Sequence, residues 1–150
     1  MRAMLFVSLV LVVAGVYRCS SELTPSEAPG VLSVRRATVR LSDGRAVIPA
    51  DSIGALATRI FVRELESAVD SRVVVGESEE AWAVVRLSVQ DGTDGKIALS
   101  ASARSAVGGR VLASFREEDA PETLRELATG AARSLARSMG LSGDMEGDTR

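Results

Sequence analysis

Residues Ala81 to Phe115 constrain this chain most, because their apolar residues recur with a period of two over three consecutive runs. Ala83, Val85, Leu87 and Val89 fall on one side of the first run, with Arg86, Ser88 and Gln90 on the other. In the second run Ile97, Leu99, Ala101 and Ala103 alternate with Lys96, Ser100, Ser102 and Arg104. In the third, Val111, Ala113 and Phe115 alternate with Arg110, Ser114 and Arg116. Side chains of a strand point to opposite faces in turn, so each run has one buried and one wet face. The connectors Asp91-Gly92-Thr93-Asp94-Gly95 and Gly108-Gly109 are hairpin signals, since glycine takes positive φ without penalty. Three hairpin-linked strands with one wet face need helices on the other.

Helical periodicity supplies them on either side. Ile53, Leu56, Ala57, Ile60, Phe61, Leu65 and Ala68 follow the i, i+3, i+4 rule, interrupted only by Glu64, which the spacing puts at the margin of the stripe. Asp51 or Ser52 is placed to cap that helix. Leu124, Leu127, Ala128, Ala131, Leu135 and Met139 form a second stripe, with Pro121 at its start and Gly140 at its stop. Between helix and hairpins, Arg72-Val73-Val74-Val75 reads as a short mid-sheet strand. Val31 to Leu41 is rich in strand formers, but its apolar parity changes midway, which predicts a bulge near Arg35-Arg36. Ala46 to Ile48 reads as a short returning strand. The expectation is an α+β domain over residues 31–140. Its antiparallel or mixed sheet has four to five strands, with two helices packed on one face, in the order β-α-β-β-β-β-α.

Ahead of this domain, Leu5 to Val16 is almost wholly apolar. A run of about a dozen suits the core of an export signal and is short for a span of roughly 20 residues. Residues 1–21 therefore read as a signal peptide or lipoprotein signal. Cys19 is the lipidation candidate, although Tyr17 and Arg18 before it are not the small neutral residues that such a site favours. Secretory cleavage near Ser21 and an uncleaved anchor stay open beside it. Residues 22–30 read as a polar linker. Residues 141–150 read as a disordered tail. Each reading puts the domain outside the cytoplasm, in the periplasm or at the outer membrane.

Composition narrows the chemistry. There is no histidine, which removes the commonest general base and metal ligand. The single cysteine cannot form an internal disulfide or a cysteine-based zinc site. Lys96 is the sole lysine, and no serine is placed beside it by any motif. Asp91 to Gly95 resembles a calcium loop but lacks the distal acidic ligands. The formal net charge of −2 and an aromatic content of 3% speak against nucleic acid as a partner. No catalytic residue, metal site or cofactor is implied. The partner-binding candidates are the basic residues Arg35, Arg36 and Arg40, together with Arg86 and Trp82. The same arginines would otherwise be solvated charges that blunt a sheet edge, and Trp82 would otherwise pack against the far side of the sheet.

The helix Ile53 to Val69 leading into Arg72-Val73-Val74-Val75, the strand Ala81 to Val89, the segment Gly109-Arg110-Val111-Leu112-Ala113-Ser114 and the final helix together resemble a group of bacterial envelope proteins. That group includes the N-terminal domain of TolB and the lipoproteins LpoB and CsgG; the lipoprotein LptE has a similar layout. The resemblance implies a non-enzymatic, exported accessory protein that binds another envelope or outer-membrane protein. Acylated Cys19 would tether it to the membrane, and an exposed strand edge would support either a homodimer or strand addition by a partner. A carrier of a lipid or small hydrophobic ligand is the alternative, since the alanine-rich faces leave room for a cavity.

Overall fold

The computed structural model describes residues 30–42 and 50–141. Six strands and two helices occupy them. The strands are β1 (Val31–Val34), β2 (Thr38–Arg40), β3 (Arg72–Val75), β4 (Ala81–Asp91), β5 (Ile97–Ser105) and β6 (Val111–Asp119). Helix α1 is Ala50–Ala68, and α2 is Leu124–Ser138 behind a single 3-10 turn, Pro121–Thr123. The sheet is mixed and open, in the order β3-β1-β4-β5-β6, and β2 continues the line of β1 along β4. The expected fold class is the one observed: a mixed sheet with both helices on one face.

The three hairpin-linked strands pair as the alternation requires. Val85 stands opposite Ala103, Leu87 opposite Ala101 and Val89 opposite Leu99, so their apolar residues share one face. That face is closed by Phe61 and Leu65 of α1 and by Leu127, Ala128, Ala131, Ala132, Leu135 and Ala136 of α2. Burying each large side chain contributes roughly 1.5–3 kcal/mol, which makes this layer the principal source of stability. The alanines Ala83, Ala101 and Ala103 are taken up by close packing of this layer, with almost no exposed surface.

The change of parity in the first strand has a simple geometric cause. Val34 pairs with Val85 and Thr38 with Ser88, so four residues advance on one strand while three advance on the other. The extra residue lies within 35–37, at the expected bulge. It divides the strand in two and brings both Val34 and Val39 to the core side. Thr58 of α1 fixes this break. Its buried Oγ1 accepts from the Ala37 amide at 2.9 Å and donates to the Gly54 carbonyl at 2.7 Å. Gly54 is needed beside it, because a Cβ there would lie 3.0 Å from the Ala37 carbonyl oxygen.

Some expectations change. β3 is an edge strand rather than a mid-sheet one, and Val75 is 56% exposed. The α1 crossover returns the chain outside β1, which takes the protected place between β3 and β4. Val111 does not share the buried face. A register shift opposite Ala103 and Arg104 turns it outward at 50% exposure and brings Leu112 against the core. Leu56 is 41% exposed, because Ala57, Phe61 and Leu65 form the centre of the α1 stripe. Asp51 and Ser52 lie inside the first turn of α1 and not at its cap. Glu64 is at the margin, as expected, and bonds to Arg133 of α2 at 3.3 Å. Gly140, at φ 68°, ends α2, and Leu141 donates back to the Ala136 carbonyl at 2.9 Å. The export segment with Cys19, the linker up to residue 29, the short strand expected at Ala46 to Ile48 and the tail from residue 142 lie outside the described residues.

Candidate functional site: the open face of the sheet

The face of the sheet turned away from the helices is apolar where Val74 and Val84 flank Ser33, and becomes polar further along β4, β5 and β6. Register places its side chains in rows across the strands. Arg86, Ser102 and Ser114 form one row. Thr38, Ser88, Ser100 and Arg116 form the next. Neighbouring members of a row are about 4.8 Å apart, and the two rows are separated by two residues along each strand, about 6.8 Å. Arg86 and Arg116 thus stand at diagonal corners of a patch whose centre is four serine hydroxyls. Arg35 and Arg36 add two more guanidinium groups from the β1–β2 break. These residues line an open groove of about 760 Å³, with four arginines and no carboxylate in its lining.

The polar partners of the arginines differ. Arg35 forms an ion pair with Glu77, while its Nε is buried without a hydrogen-bond partner among the described residues. Arg36 donates from Nη2 to the Asp51 carbonyl at 3.3 Å. Arg116 is held by Glu118 at 3.2 Å. The Arg86 guanidinium has no hydrogen bond or ion pair among the described residues, and the residue is exposed. Glu118 also accepts from the amide and hydroxyl of Thr93, at 3.2 and 2.9 Å, and so ties the β4–β5 turn to β6. Those two bonds from Thr93, followed by the nearby Arg116, hold its carboxyl below the usual carboxylate range.

Three of the partner candidates read from the sequence, Arg35, Arg36 and Arg86, therefore meet in one groove. Arg40 shares the open face, opposite Gln90, but lies outside the groove lining. Trp82 is also outside it. Between Val31 and Leu32 the β1–β4 register skips Trp82, and its half-buried indole lies against Gly30, where a Cβ would approach the ring to 2.3 Å. Arg116 and the serines were legible only as wet-face residues of separate strands. Their meeting depends on register, which alternation alone does not set. Asp91 to Gly95 forms the β4–β5 hairpin turn, with Asp94 and Gly95 at positive φ. Among the described residues no group of three or more His, Cys, Asp or Glu side chains is gathered, and no helix is long and apolar enough to cross a membrane.

No protein-family model and no curated protein sequence matches the chain. Solved structures do. PelC from Paraburkholderia phytofirmans, a dodecamer, is 19% identical with a TM-score of 0.51, over 79% of this chain and 94% of that one. The fold is shared. TolB from Acinetobacter baumannii is 12% identical with the same TM-score, over 82% of this chain and 31% of the longer TolB chain. The LpoB C-terminal domain from Salmonella enterica is a looser match, 14% identical with a TM-score of 0.45, over 67% of this chain and 91% of that one. The α+β fold expected from the sequence is the fold that PelC and the matched part of TolB share with this chain.

Proposed function

We propose that this protein is an exported, non-catalytic accessory protein of the bacterial envelope that docks another envelope protein on the open face of its sheet. The observation that carries the reading is the arginine–serine groove on a face the core does not use. Residues that neither pack nor cap are free to serve recognition. The apolar segment Leu5 to Val16 and the fold shared with TolB support an envelope location, and Cys19 supplies a lipid tether to the membrane. Arg35, Arg36, Arg86 and Arg116 make the contact, with Arg40 and Trp82 at its periphery. Among the described residues β6 ends the sheet on one side, with an edge nine residues long that no strand covers. Self-association along it accompanies docking, a reading that the dodecameric state of PelC supports.

Photo-crosslinking residues at Ser100 and Ser102, placed one at a time in living cells, test the proposal. One envelope protein captured reproducibly from both positions, and identified by mass spectrometry, is the expected result. Self-crosslinks alone, or no crosslinks, would reject it.

A further inference from the structure

We infer that the groove recognises an extended segment of the partner protein with Asp or Glu at alternate positions. This rests on the docking reading above and names the chemistry of its partner. Charge gives the sign. Four guanidinium groups line the groove, and the two carboxylates paired with lining arginines, Glu77 and Glu118, are themselves outside the lining. Arg86 has no ion pair at all among the described residues, so it is free to take a carboxylate in the planar, two-pronged geometry that guanidinium favours.

Spacing gives the pattern. Arg86 with Ser102 and Ser114, and Arg116 with Ser100 and Ser88, form two rows two residues apart along the strands. In an extended peptide lying along those strands, side chains two residues apart have the same separation, about 6.8 Å. Arg86 and Arg116 also stand two strands apart, about 9.6 Å across the sheet, so the segment lies over β5 between them. One carboxylate faces the Arg86 row and the next the Arg116 row, each guanidinium reaching in from its own side, with the hydroxyls of Ser102 and Ser100 donating.

Composition argues for a protein and against a glycan. The groove lacks a ring on which a sugar could stack. Phe115, its sole aromatic lining residue, pairs with buried Ala101 and packs against the core.

The test uses the full chain purified in detergent and two fluorescent hexapeptides of one composition, Glu-Ser-Glu-Ser-Glu-Ser and Glu-Glu-Ser-Ser-Glu-Ser, the second with no two glutamates two residues apart, followed by anisotropy. The alternating peptide is expected to bind about tenfold more tightly than the irregular one, and less tightly as salt rises. Arg86→Ala and Arg116→Ala should each weaken it about tenfold, while Arg125→Ala/Arg137→Ala on α2, which removes two positive charges elsewhere, should leave it unchanged. Equal affinity for the two peptides, no binding, or equal losses in the α2 variant would overturn the inference. So would displacement of the peptide by inorganic phosphate or polygalacturonate at lower carboxylate- or phosphate-equivalent concentration than free alternating peptide. If Ser100 still captures one envelope protein while neither peptide binds, docking stands and the acidic pattern falls. If the peptide binds at Arg86 but no protein is captured, the docking reading falls instead.

Discussion

The two faces of one sheet differ in what the chain asks of them. On the helix side, Leu87, Val89, Leu99, Phe61 and Leu135 interlock, and each is specified by its neighbours. On the open side, Arg86, Ser88, Ser100, Ser102 and Ser114 touch little that folding requires. Serine has modest strand propensity and a wet sheet face accepts many residue types, so folding alone does not select four serines framed by arginines. The contrast separates residues that make the fold from residues that give it a use.

The largest effect should come from the helix side. Phe61→Ala is expected to cost about 3–5 kcal/mol, read as a lowered urea midpoint, because it empties a fully buried site. A loss no greater than that of a surface substitution would mean that the two faces are not distinct. Next is the link between them at the β1–β2 break. Thr58→Val leaves the Ala37 amide buried and unpaired, which should cost about 1–3 kcal/mol. It should also weaken capture at Ser100, since the break presents Arg35 and Arg36. Gly54→Val crowds the same break against Ala37 and Val39 and should cost about 1–3 kcal/mol in urea unfolding.

A pH effect follows from Glu118. Its carboxyl titrates lower in the folded chain than in the unfolded one, so its stabilisation is complete above the ordinary carboxylate pKa. The contribution is lost as pH falls through the lowered folded value. Glu118→Gln should therefore lower thermal stability at pH 8, where that stabilisation is complete, and change little at acid pH, where it is already lost, so that the acid limb flattens; an unchanged acid limb would remove Glu118 from the account. The smallest effect belongs to the open face. Arg86→Ala and Ser100→Ala should each change unfolding stability by less than about 0.5 kcal/mol.

The sequence shows the two faces unequally. Period-two alternation announced Ala83 to Val89 and Ile97 to Ala103, and the helical stripes announced what covers them. Two features escaped it. The place of β3 at the edge depends on which neighbour the α1 crossover selects, and a four-residue apolar strand reads alike in either place. The groove depends on register, which hairpin lengths and the bulge opposite Ala103 and Arg104 set jointly. Arg116 and Ser88 lie 28 positions apart in sequence, yet only β5 separates them in the sheet. The parity change between Val34 and Val39 was visible, and it did mark the break that carries Arg35 and Arg36.

The most direct measurement is capture from Ser100 in cells carrying either the native chain or Arg86→Ala/Arg116→Ala, with the thermal midpoint of each purified chain recorded alongside. The account predicts that capture of the envelope partner disappears while the midpoint falls by no more than the loss of the exposed, solvent-screened Arg116–Glu118 pair would cause. Capture that persists undiminished in the double variant would contradict it, because the open face would then hold its partner without the charges that distinguish it.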